Sequence, residues 1–475
     1  MKIIPPARQP ERSREGLLAF LRECRADAER SGGDVFASIS LLVNHIDPLA
    51  VLESIYDPGE LHFYLERSSR EESIAGADGV AVRQTSGLGR FREVEAFREE
   101  ILSRTTCIGD TDAPGAGPHF FCAFTFFEEP RDTRFAGATV FLPRWQVVRR
   151  GDVFTAVANL RIAADSPLEA MAEKVWRAHV KFSAFGYDGV PTEANDWRAG
   201  GERRETVPRE VFTAGVREAL EAISSGELEK VVLARCVDLS FRGGIHPLRA
   251  LNRLRMTYPN CFTFSVANGT GQSFIGASPE LLVRRRGDTV ETEALAGSAP
   301  RGATASEDAV LAGDLLRSEK DSREHRLVID SILRRLRAAG VEAEHVSRPR
   351  LLQLPNVQHL RTPVRGKLRG GVGLLDVLAQ LHPTPAVGGT PREPAMAAIR
   401  RMEAFSRGLY AGAVGWIAPD GDGEFTVAIR STLIDGGLAR LYAGAGIVAG
   451  SDPEREWCET EVKMQAMLSA FSLPD

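Results

Sequence analysis

Short apolar runs separated by turn residues dominate the first part of the chain. In chain order these runs are VFASISLLV, LHFYLE, FFCAFTFF, ATVFLPRW and DVFTAVANL. Helical periodicity occurs only around residues 12–30, in FREVEAFREEIL and in SPLEAMAEKVWRAHVKF. Strands that follow strands at short spacing are typical of antiparallel sheets and disfavour a doubly wound parallel sheet. We therefore predict an α+β fold with two lobes, in which large antiparallel β-sheets pack together and are flanked by helices.

A polar stretch at residues 189–206 separates the two halves. It contains paired glycines and lacks apolar periodicity, which predicts a linker. The predicted regions are an N-terminal α+β region, residues 1–205, and a C-terminal region, residues 206–475, which contains the candidate site residues described below. Thr206 is predicted to cap the first helix of the second region, which Pro208 begins.

Two charged residues of the second half lie in or beside apolar strands. Lys230 opens EKVVLARCVDLSF and shares a strand face with Val232 and Ala234. It either extends to water from the strand end or is desolvated, in which case it can act as a general base. Glu280 follows Pro279 before the apolar run LLV. It is either an exposed turn residue or a partly buried carboxyl that stays protonated.

Two predicted helices place carboxylates on rows that continue as apolar residues. One helix has a row spaced by four, formed by Glu324, Val328, Ile332 and Leu336. The last helix has a row formed by Glu456, Glu459, Lys463, Met467 and Ala470. Unpaired buried carboxylates are costly, and a cation held by the three glutamates would satisfy them; oxygen-only ligands favour Mg2+. The alternative is a surface helix with one weak Glu459–Lys463 pair.

A predicted hairpin supplies a candidate anion clamp. The segment GLYAGAVGWIAPDGDGEFTVAIRSTLI places Tyr410 on the first strand and Arg430 at the end of the second. Such an arginine either binds a substrate carboxylate through two parallel hydrogen bonds or pairs with an acidic side chain. His359 lies in the extended run LPNVQHLRTPVRGKL, whereas His325 is interpreted as structural.

Composition excludes several classes of protein. The chain has 475 residues, 43% of them hydrophobic, with 59 basic and 64 acidic residues, so it offers no global field for nucleic acid or an anionic membrane. Its six scattered cysteines contain no C-x-x-C pair, which disfavours a zinc site or a disulfide scaffold. The start of the chain lacks the apolar run of a secretion signal, and no run approaches about 18 apolar residues. We expect a soluble, cytoplasmic protein.

A set of ten motifs resembles one enzyme family. In chain order they are KVVLAR, GASPELLV, ALAGSAPRG, KDSREHRLVID, NVQHL, HPTPAVGGTP, GLYAGAVGW, AIRS, YAGAGIV and EWCETEVK. Together they resemble the chorismate-utilising enzymes, and within them the isochorismate synthases. The resemblance spans residues 208–472, and the first two hundred residues match more loosely.

The resemblance implies catalytic and metal-binding roles at matched positions. Lys230 would be the general base that activates water for attack at C2 of chorismate, and Glu280 would be the general acid that protonates the leaving C4 hydroxyl. The resemblance implies that Glu324 and Glu459 hold Mg2+, with Glu456 acting directly or through water. These roles require a neutral lysine and a protonated glutamic acid, which a desolvated pocket can provide.

Further matched positions imply substrate contacts. Tyr410 and Arg430 would hold the enolpyruvyl carboxylate, His359 would lie in the pocket wall, and Lys463 would orient the carboxylates on the metal side. The residues implied to offer backbone or hydroxyl contacts to the substrate are Gly297, Ser298, Gly444 and Gly446.

Few positions separate the isochorismate synthases from their relatives. Anthranilate synthases lack the base lysine that is present here as Lys230. Salicylate synthases and the ammonia-using enzymes tend to have Thr-x-Ser-Gly where this chain has Ala386, Val387, Gly388 and Gly389. This difference favours a water-adding isomerase that stops at isochorismate. Neither a glutamine amidotransferase subunit nor a nucleic-acid or membrane partner is expected, and we expect a monomer.

Two other functions stay open at this point. A salicylate synthase would go on to eliminate pyruvate, and a catalytically silent chorismate-binding regulator should have lost Lys230, Glu280 or a metal-binding glutamate, none of which is missing. Menaquinone and siderophore synthesis both begin with isochorismate. The long N-terminal half resembles the menaquinone-type enzymes more closely.

Overall fold

The computed structural model describes residues 1–4, 12–183 and 202–471. These residues form strands β1 (Lys2–Ile3), β2 (Val35–Val43), β3 (His62–Arg67), β4 (Glu72–Thr85), β5 (Thr105–Gly109), β6 (Phe120–Phe124), β7 (Ala138–Arg150), β8 (Val153–Ile162), β9 (Glu202–Glu205), β10 (Lys230–Ser240), β11 (Phe262–Ala267), β12 (Gln272–Ser278), β13 (Leu281–Arg286), β14 (Thr289–Pro300), β15 (Glu342–His345), β16 (Arg350–Gln353), β17 (Val357–Lys367), β18 (Gly389–Thr390), β19 (Ala413–Ile417), β20 (Gly423–Val427), β21 (Ser431–Asp435) and β22 (Leu438–Ile447). The helices are α1 (Arg14–Ser31), α2 (Pro48–Ser54), α3 (Arg90–Ser103), α4 (Leu168–Ser183), α5 (Arg209–Ser224), α6 (Pro247–Thr257), α7 (Ala305–Arg317), α8 (Glu319–Ala338), α9 (Leu374–Leu381), α10 (Arg392–Met402) and α11 (Pro453–Phe471). The α+β prediction is confirmed.

The sheet is antiparallel apart from two ladders. Among the described strands, β5 runs parallel to β1 and to β2, and the other pairings are antiparallel. Ladders cross between the two halves of the chain, because β3 pairs with β11 and β6 pairs with β19. Long apolar strands need such pairing on both edges, since their backbone groups are buried.

The predicted linker is described only at its end. Residues 189–201 lie outside the described residues, and Glu202–Glu205 form β9, which pairs with β10. The amide of Thr206 donates to the carbonyl of Cys236 at 3.2 Å and so extends this ladder. The predicted cap at Thr206 is therefore wrong, and Pro208 occupies the cap position without a side-chain hydrogen bond. The boundary between the two regions stays a prediction.

Helices α8 and α11 bury the faces that the sequence predicts. Helix α8 packs on β14, and α11 packs on β22 and α5. The apolar rows below the acidic residues are buried at Val328, Ile332, Leu336, Met467 and Ala470. Each helix thus brings its glutamates to the edge of the core, where an unpaired charge is costly.

The structure shows the state of the cysteines and the character of the helices. The six cysteines are free, and five of them are buried. Within the described part of the chain, none of the helices has the length and apolar character that crossing a bilayer requires.

Candidate active site

One cavity collects all but two of the predicted site residues. Its walls come from β10, β14, β17, β22, α8, α11 and the segments between strands. The predicted residues that line it are Glu280, Gly297, Ser298, Glu324, His359, Ala386, Tyr410, Arg430, Gly444, Gly446, Glu459 and Lys463. Lys230 lies directly behind Glu324, and Glu456 faces a neighbouring groove that shares Ser298, Glu459 and Lys463 with the cavity.

Lys230 is buried at the first position of β10. It is 0% exposed, and its Nζ donates to Glu324 Oε1 at 2.7 Å. The strand end is interior because Lys230 pairs with Thr390 of β18, while the next residue, Val231, pairs with Ile447 of β22. The alternative in which this lysine extends to water is wrong.

Glu280 is a buried carboxyl between β12 and β13. It is 2% exposed, and its backbone carbonyl accepts hydrogen bonds from the Thr426 hydroxyl at 2.7 Å and the Val427 amide at 3.2 Å. Burial, reinforced by the charge of Glu293, raises the pKa of Glu280 to about 8, against the opposing charge of Lys230. Glu280 therefore carries a proton at neutral pH and can donate it. The exposed-turn alternative is wrong.

Glu293 of β14 supports Glu280 and was not predicted. It is 3% exposed, accepts a hydrogen bond from the Leu281 amide at 2.9 Å and pairs with Arg361. Because Glu293 accepts from the amide of the residue that follows Glu280, its negative charge is held near Glu280 and favours the neutral form of that acid. Strand alternation alone does not reveal Glu293, because its effect depends on β13 and β14 being neighbours.

Arg430 forms the opposite end of the cavity with His359. Its Nη2 donates to His359 Nε2 at 3.2 Å. Since a guanidinium can only donate, Nε2 accepts, and Nδ1 carries the proton toward the Ser298 hydroxyl at 3.0 Å. Burial and the charge of Arg430 hold the pKa of His359 well below its usual value, so the ring is neutral.

The guanidinium of Arg430 is available to an anion. It is 6% exposed, and no carboxylate of the described residues pairs with it, so the alternative of an acidic partner is not seen. The predicted strand positions of Tyr410 and Arg430 are wrong, because β19 begins at Ala413 and β20 ends at Val427. Arg430 lies in the turn before β21 with a φ of 50°, which directs its side chain from a turn instead of a ladder.

Each predicted metal-binding glutamate pairs with a lysine. The distances are 2.7 Å for Glu324 with Lys230, 3.0 Å for Glu456 with Lys320, and 2.6 Å for Glu459 with Lys463. The sequence missed Lys320, although it lies one helical turn before Glu324. Across the described residues, no three acidic, histidine or cysteine side chains form a ready metal cluster. Each of these carboxylates therefore has a lysine ammonium as its counter-charge.

The donor set nevertheless fits a hard cation. Burial, followed by the charge of Glu459, raises the pKa of Glu456. The pKa of Asp321 is also raised. Burial is the largest cause, the hydrogen bond with Ser318 opposes it, and the charges of Glu324 and Glu459 add to it. These carboxylates therefore act on one another across α8 and α11, and all their donors are oxygen atoms. A divalent cation would relieve that repulsion if the lysines released them.

Gly446 allows Lys230 and Glu324 to approach β22. A Cβ at this position would lie 2.7 Å from Glu324 Oε1 and 3.1 Å from Lys230 Cε. We expect Gly446→Ala to lower turnover of the natural substrate by at least about tenfold, because the ion pair must move. Steady-state kinetics will measure this. Gly244→Ala is the matched control, since a Cβ there meets nothing within 4 Å; equal activity of both variants would contradict the assignment.

Comparison with known proteins places this geometry in a family. The family model described as chorismate binding enzyme matches residues 19–472. The isochorismate synthase MenF of Bacillus subtilis is 33% identical over 453 residues, covering 92% of this chain and 93% of that protein. The salicylate biosynthesis isochorismate synthase of Pseudomonas aeruginosa is 34% identical over 475 residues, covering 96% of each.

A solved structure shares the architecture over nearly the whole chain. The menaquinone-specific isochorismate synthase MenF from Escherichia coli superposes with a TM-score of 0.77 at 27% identity, covering 95% of this chain and all of that one. Since the family model spans residues 19–472 and so includes every residue that lines the cavity, the chain belongs to the family of chorismate-binding enzymes.

Proposed function

We propose that this protein is an isochorismate synthase, an isomerase that converts chorismate reversibly to isochorismate. The observation that carries the proposal is the neutral, buried Glu280 on the same cavity as the Lys230–Glu324 pair and the free guanidinium of Arg430. Relatives of similar length with the same named activity support it.

The cavity matches a small cyclic dianion in charge. Arg430 would receive one carboxylate of chorismate through two parallel hydrogen bonds, with Tyr410 beside it. His359 stays neutral and holds the guanidinium in place through its 3.2 Å contact. The cavity volume is about 70 Å3.

The reaction exchanges hydroxyl groups, which requires a base and an acid. Water adds at C2 while the C4 hydroxyl leaves with its bonding electrons. Both ring double bonds shift, so that C1=C2 becomes C1=C6 and C5=C6 becomes C4=C5. Glu280 holds the proton that the leaving hydroxyl takes. Lys230 must reach this step as a neutral amine to take a proton from the attacking water, and so must give up the proton that it shares with Glu324.

We propose Mg2+ as the cofactor, held by Glu324 and Glu459 with Glu456 directly or through water. When bound, the ion would neutralise these carboxylates and one substrate carboxylate. Lys463 would orient this side, since its Nζ reaches Glu459 at 2.6 Å and the Gly444 carbonyl at 3.0 Å.

Product analysis tests the function and its Mg2+ dependence together. Purified protein with chorismate and Mg2+ should yield isochorismate at an equilibrium ratio, and addition of EDTA should abolish turnover. Chromatography with an assay for pyruvate separates the candidates. Salicylate and pyruvate in quantity would establish a salicylate synthase, and chorismate binding without any product would establish a silent regulator.

The proposed pathway is menaquinone biosynthesis. Support comes from the near full-length structural match to the menaquinone-specific isochorismate synthase MenF of Escherichia coli, beside the near full-length sequence match to MenF of Bacillus subtilis. The similar match to a salicylate biosynthesis enzyme makes siderophore supply the second candidate. Deletion of the gene from its host distinguishes them, because added menaquinone rescues growth in the first case and added siderophore rescues iron-limited growth in the second. We also propose that the enzyme works as a monomer, without an amidotransferase subunit, which light scattering will check.

Glu293 should set the pH at which activity is lost. Glu280 must be protonated, and its pKa of about 8 predicts a fall in kcat/KM as pH rises through that value. Glu293→Gln keeps an acceptor for the Leu281 amide but removes the neighbouring charge. We therefore expect the descending limb of the pH–rate profile to move to lower pH. Glu291→Gln is the control, because Glu291 lies two residues away on β14 and pairs with exposed Arg365; an unmoved limb in Glu293→Gln would refute the role.

A further inference from the structure

A second cavity, of about 480 Å3, lies between α3, the start of α10 and the segment that follows β6. It has no wall residue in common with the active-site cavity. Its walls are largely aromatic and apolar, with contributions from Phe91, Phe126, Phe127, Pro383 and Met396. Its size and lining are those of a site for a small ring compound.

Arg392 gives this cavity a positive charge that no salt bridge among the described residues neutralises. Its Nη2 donates to the carbonyls of Gln380 and Pro383, and its buried Nε makes no hydrogen bond. No carboxylate among the described residues forms a salt bridge with this guanidinium. Arg335 adds a like charge nearby, and the smaller effect of Glu393, which also lines the cavity, opposes it. Burial and Arg335 lower the pKa of Arg392 to about 9. A bound anion would stabilise this charge.

Arg90 adds a second desolvated guanidinium to the same wall. It is 4% exposed and donates to the carbonyls of Phe127 and Gly137 at 2.8 and 3.0 Å. It also stacks on Phe91 at 5.1 Å. By contrast, Arg400 on the rim already pairs with Glu128 at 2.9 Å. The cavity therefore combines aromatic faces with excess positive charge, which is the recognition chemistry of an aromatic carboxylate.

Direct contacts connect this cavity to the active site. The Phe126 ring lies 4.2 Å from the guanidinium carbon of Arg407. Arg407 is buried and donates to the carbonyls of Val387 at 2.9 Å and Val232 at 2.8 Å. Val387 and Val232 both line the active-site cavity. A ligand that moves Phe126 would therefore move the wall against which the substrate binds.

We propose that this second cavity binds a small aromatic carboxylate, with the ring among the phenylalanines and the carboxylate at Arg392, and that its occupancy changes turnover at the active site. The binding part stands on the cavity alone. The change in turnover rests on the proposed isochorismate synthase function.

Binding is tested with 2-naphthoate as the probe and calorimetry as the readout. The Arg430→Gln variant, which lacks the carboxylate clamp of the active site, should bind 2-naphthoate as the parent does. Arg392→Gln should bind it at least about tenfold more weakly, because a charge-assisted hydrogen bond is lost. Arg401→Gln is the matched control, since Arg401 lies on the same helix, is exposed and pairs with Glu218. The uncharged 2-naphthalenemethanol should bind at least about tenfold more weakly than the acid.

A cavity-filling variant distinguishes loss of the binding site from loss of the fold. Ala397 lines the cavity from an exposed helix position, so Ala397→Phe should block 2-naphthoate without disturbing the core. Binding that survives both Arg392→Gln and Ala397→Phe, or that disappears only in Arg430→Gln, would overturn the site.

The coupling is tested by the rate of isochorismate formation with saturating 2-naphthoate. We expect KM or kcat to change at least about twofold in the parent and in Arg401→Gln, but not in Arg392→Gln. Binding without any change in rate would overturn the coupling. A protein that makes no isochorismate would refute the proposed function, while the calorimetry would still decide the site.

Discussion

Lys230→Ala is expected to lower turnover of chorismate by about two orders of magnitude or more while the fold stays intact, because the general base is removed. Lys230 is fully buried beside Glu324. After the substitution, the positive charges of Lys463 and Lys320 still act on the Glu324 carboxylate. The carboxylate is therefore not left without counter-charge, and unfolding should stay cooperative. Product chromatography and thermal unfolding will measure the two effects.

Chemical rescue separates a base from a merely structural lysine. The Ala variant leaves room for a small primary amine, so added methylamine should restore part of the rate in Lys230→Ala but not in Lys230→Met. Lys367→Ala is the control, because it removes an exposed lysine that also pairs with a carboxylate, Asp288. Turnover of Lys230→Ala equal to that of the parent would exclude the lysine as the base.

Glu280→Gln is expected to lower turnover by about two orders of magnitude and to stabilise the fold at alkaline pH. The amide cannot supply the proton that the leaving hydroxyl needs. The folded-state pKa of about 8 exceeds the ordinary value of 4.5, so the folded state binds more protons than the unfolded state between these values. The parent's stability therefore falls as pH rises through this window, and the glutamine variant lacks that loss.

The difference in melting temperature between Glu280→Gln and the parent should thus grow from about pH 5 to about pH 8 and then level off. Thermal unfolding at a series of pH values, beside rates of isochorismate formation, will check both effects. The Glu291→Gln control should show neither. A variant that retains the parental rate would remove Glu280 from the role of acid, and a flat stability difference would show that the carboxyl is ionised when folded.

The two acidic rows show how far periodicity can be taken. Glu324 and Glu459 were found because each shares a helical row with residues that the structure buries. Helical spacing predicts the pair of Glu459 with Lys463, which the structure contains, but it does not predict the pair of Glu324 with Lys230. Periodicity identifies which side chains face inward. It cannot state which charge meets which, because Lys230 and Glu324 are 94 residues apart.

The acid site shows the same division. The segment before LLV leaves Glu280 either buried or exposed. Its burial, reinforced by the charge of Glu293 on β14, decides for a protonated carboxyl. Similarly, Arg430 was placed at a strand end by its apolar neighbours, but its turn conformation and its contact with His359 come from packing.

The sequence by itself determined three things: the order of short strands and helical rows, the exclusion of a disulfide scaffold, and the motifs that identify the family. Each can be read from residues that lie close together in the sequence. Tertiary structure alone decided that Glu280 is neutral, that Lys230 pairs with Glu324 and Lys320 with Glu456, and that Arg392 lines a second cavity without a salt bridge to a described carboxylate. Charge states depend on burial and on distances between residues far apart in the chain, and those are fixed only when the strands and helices have packed.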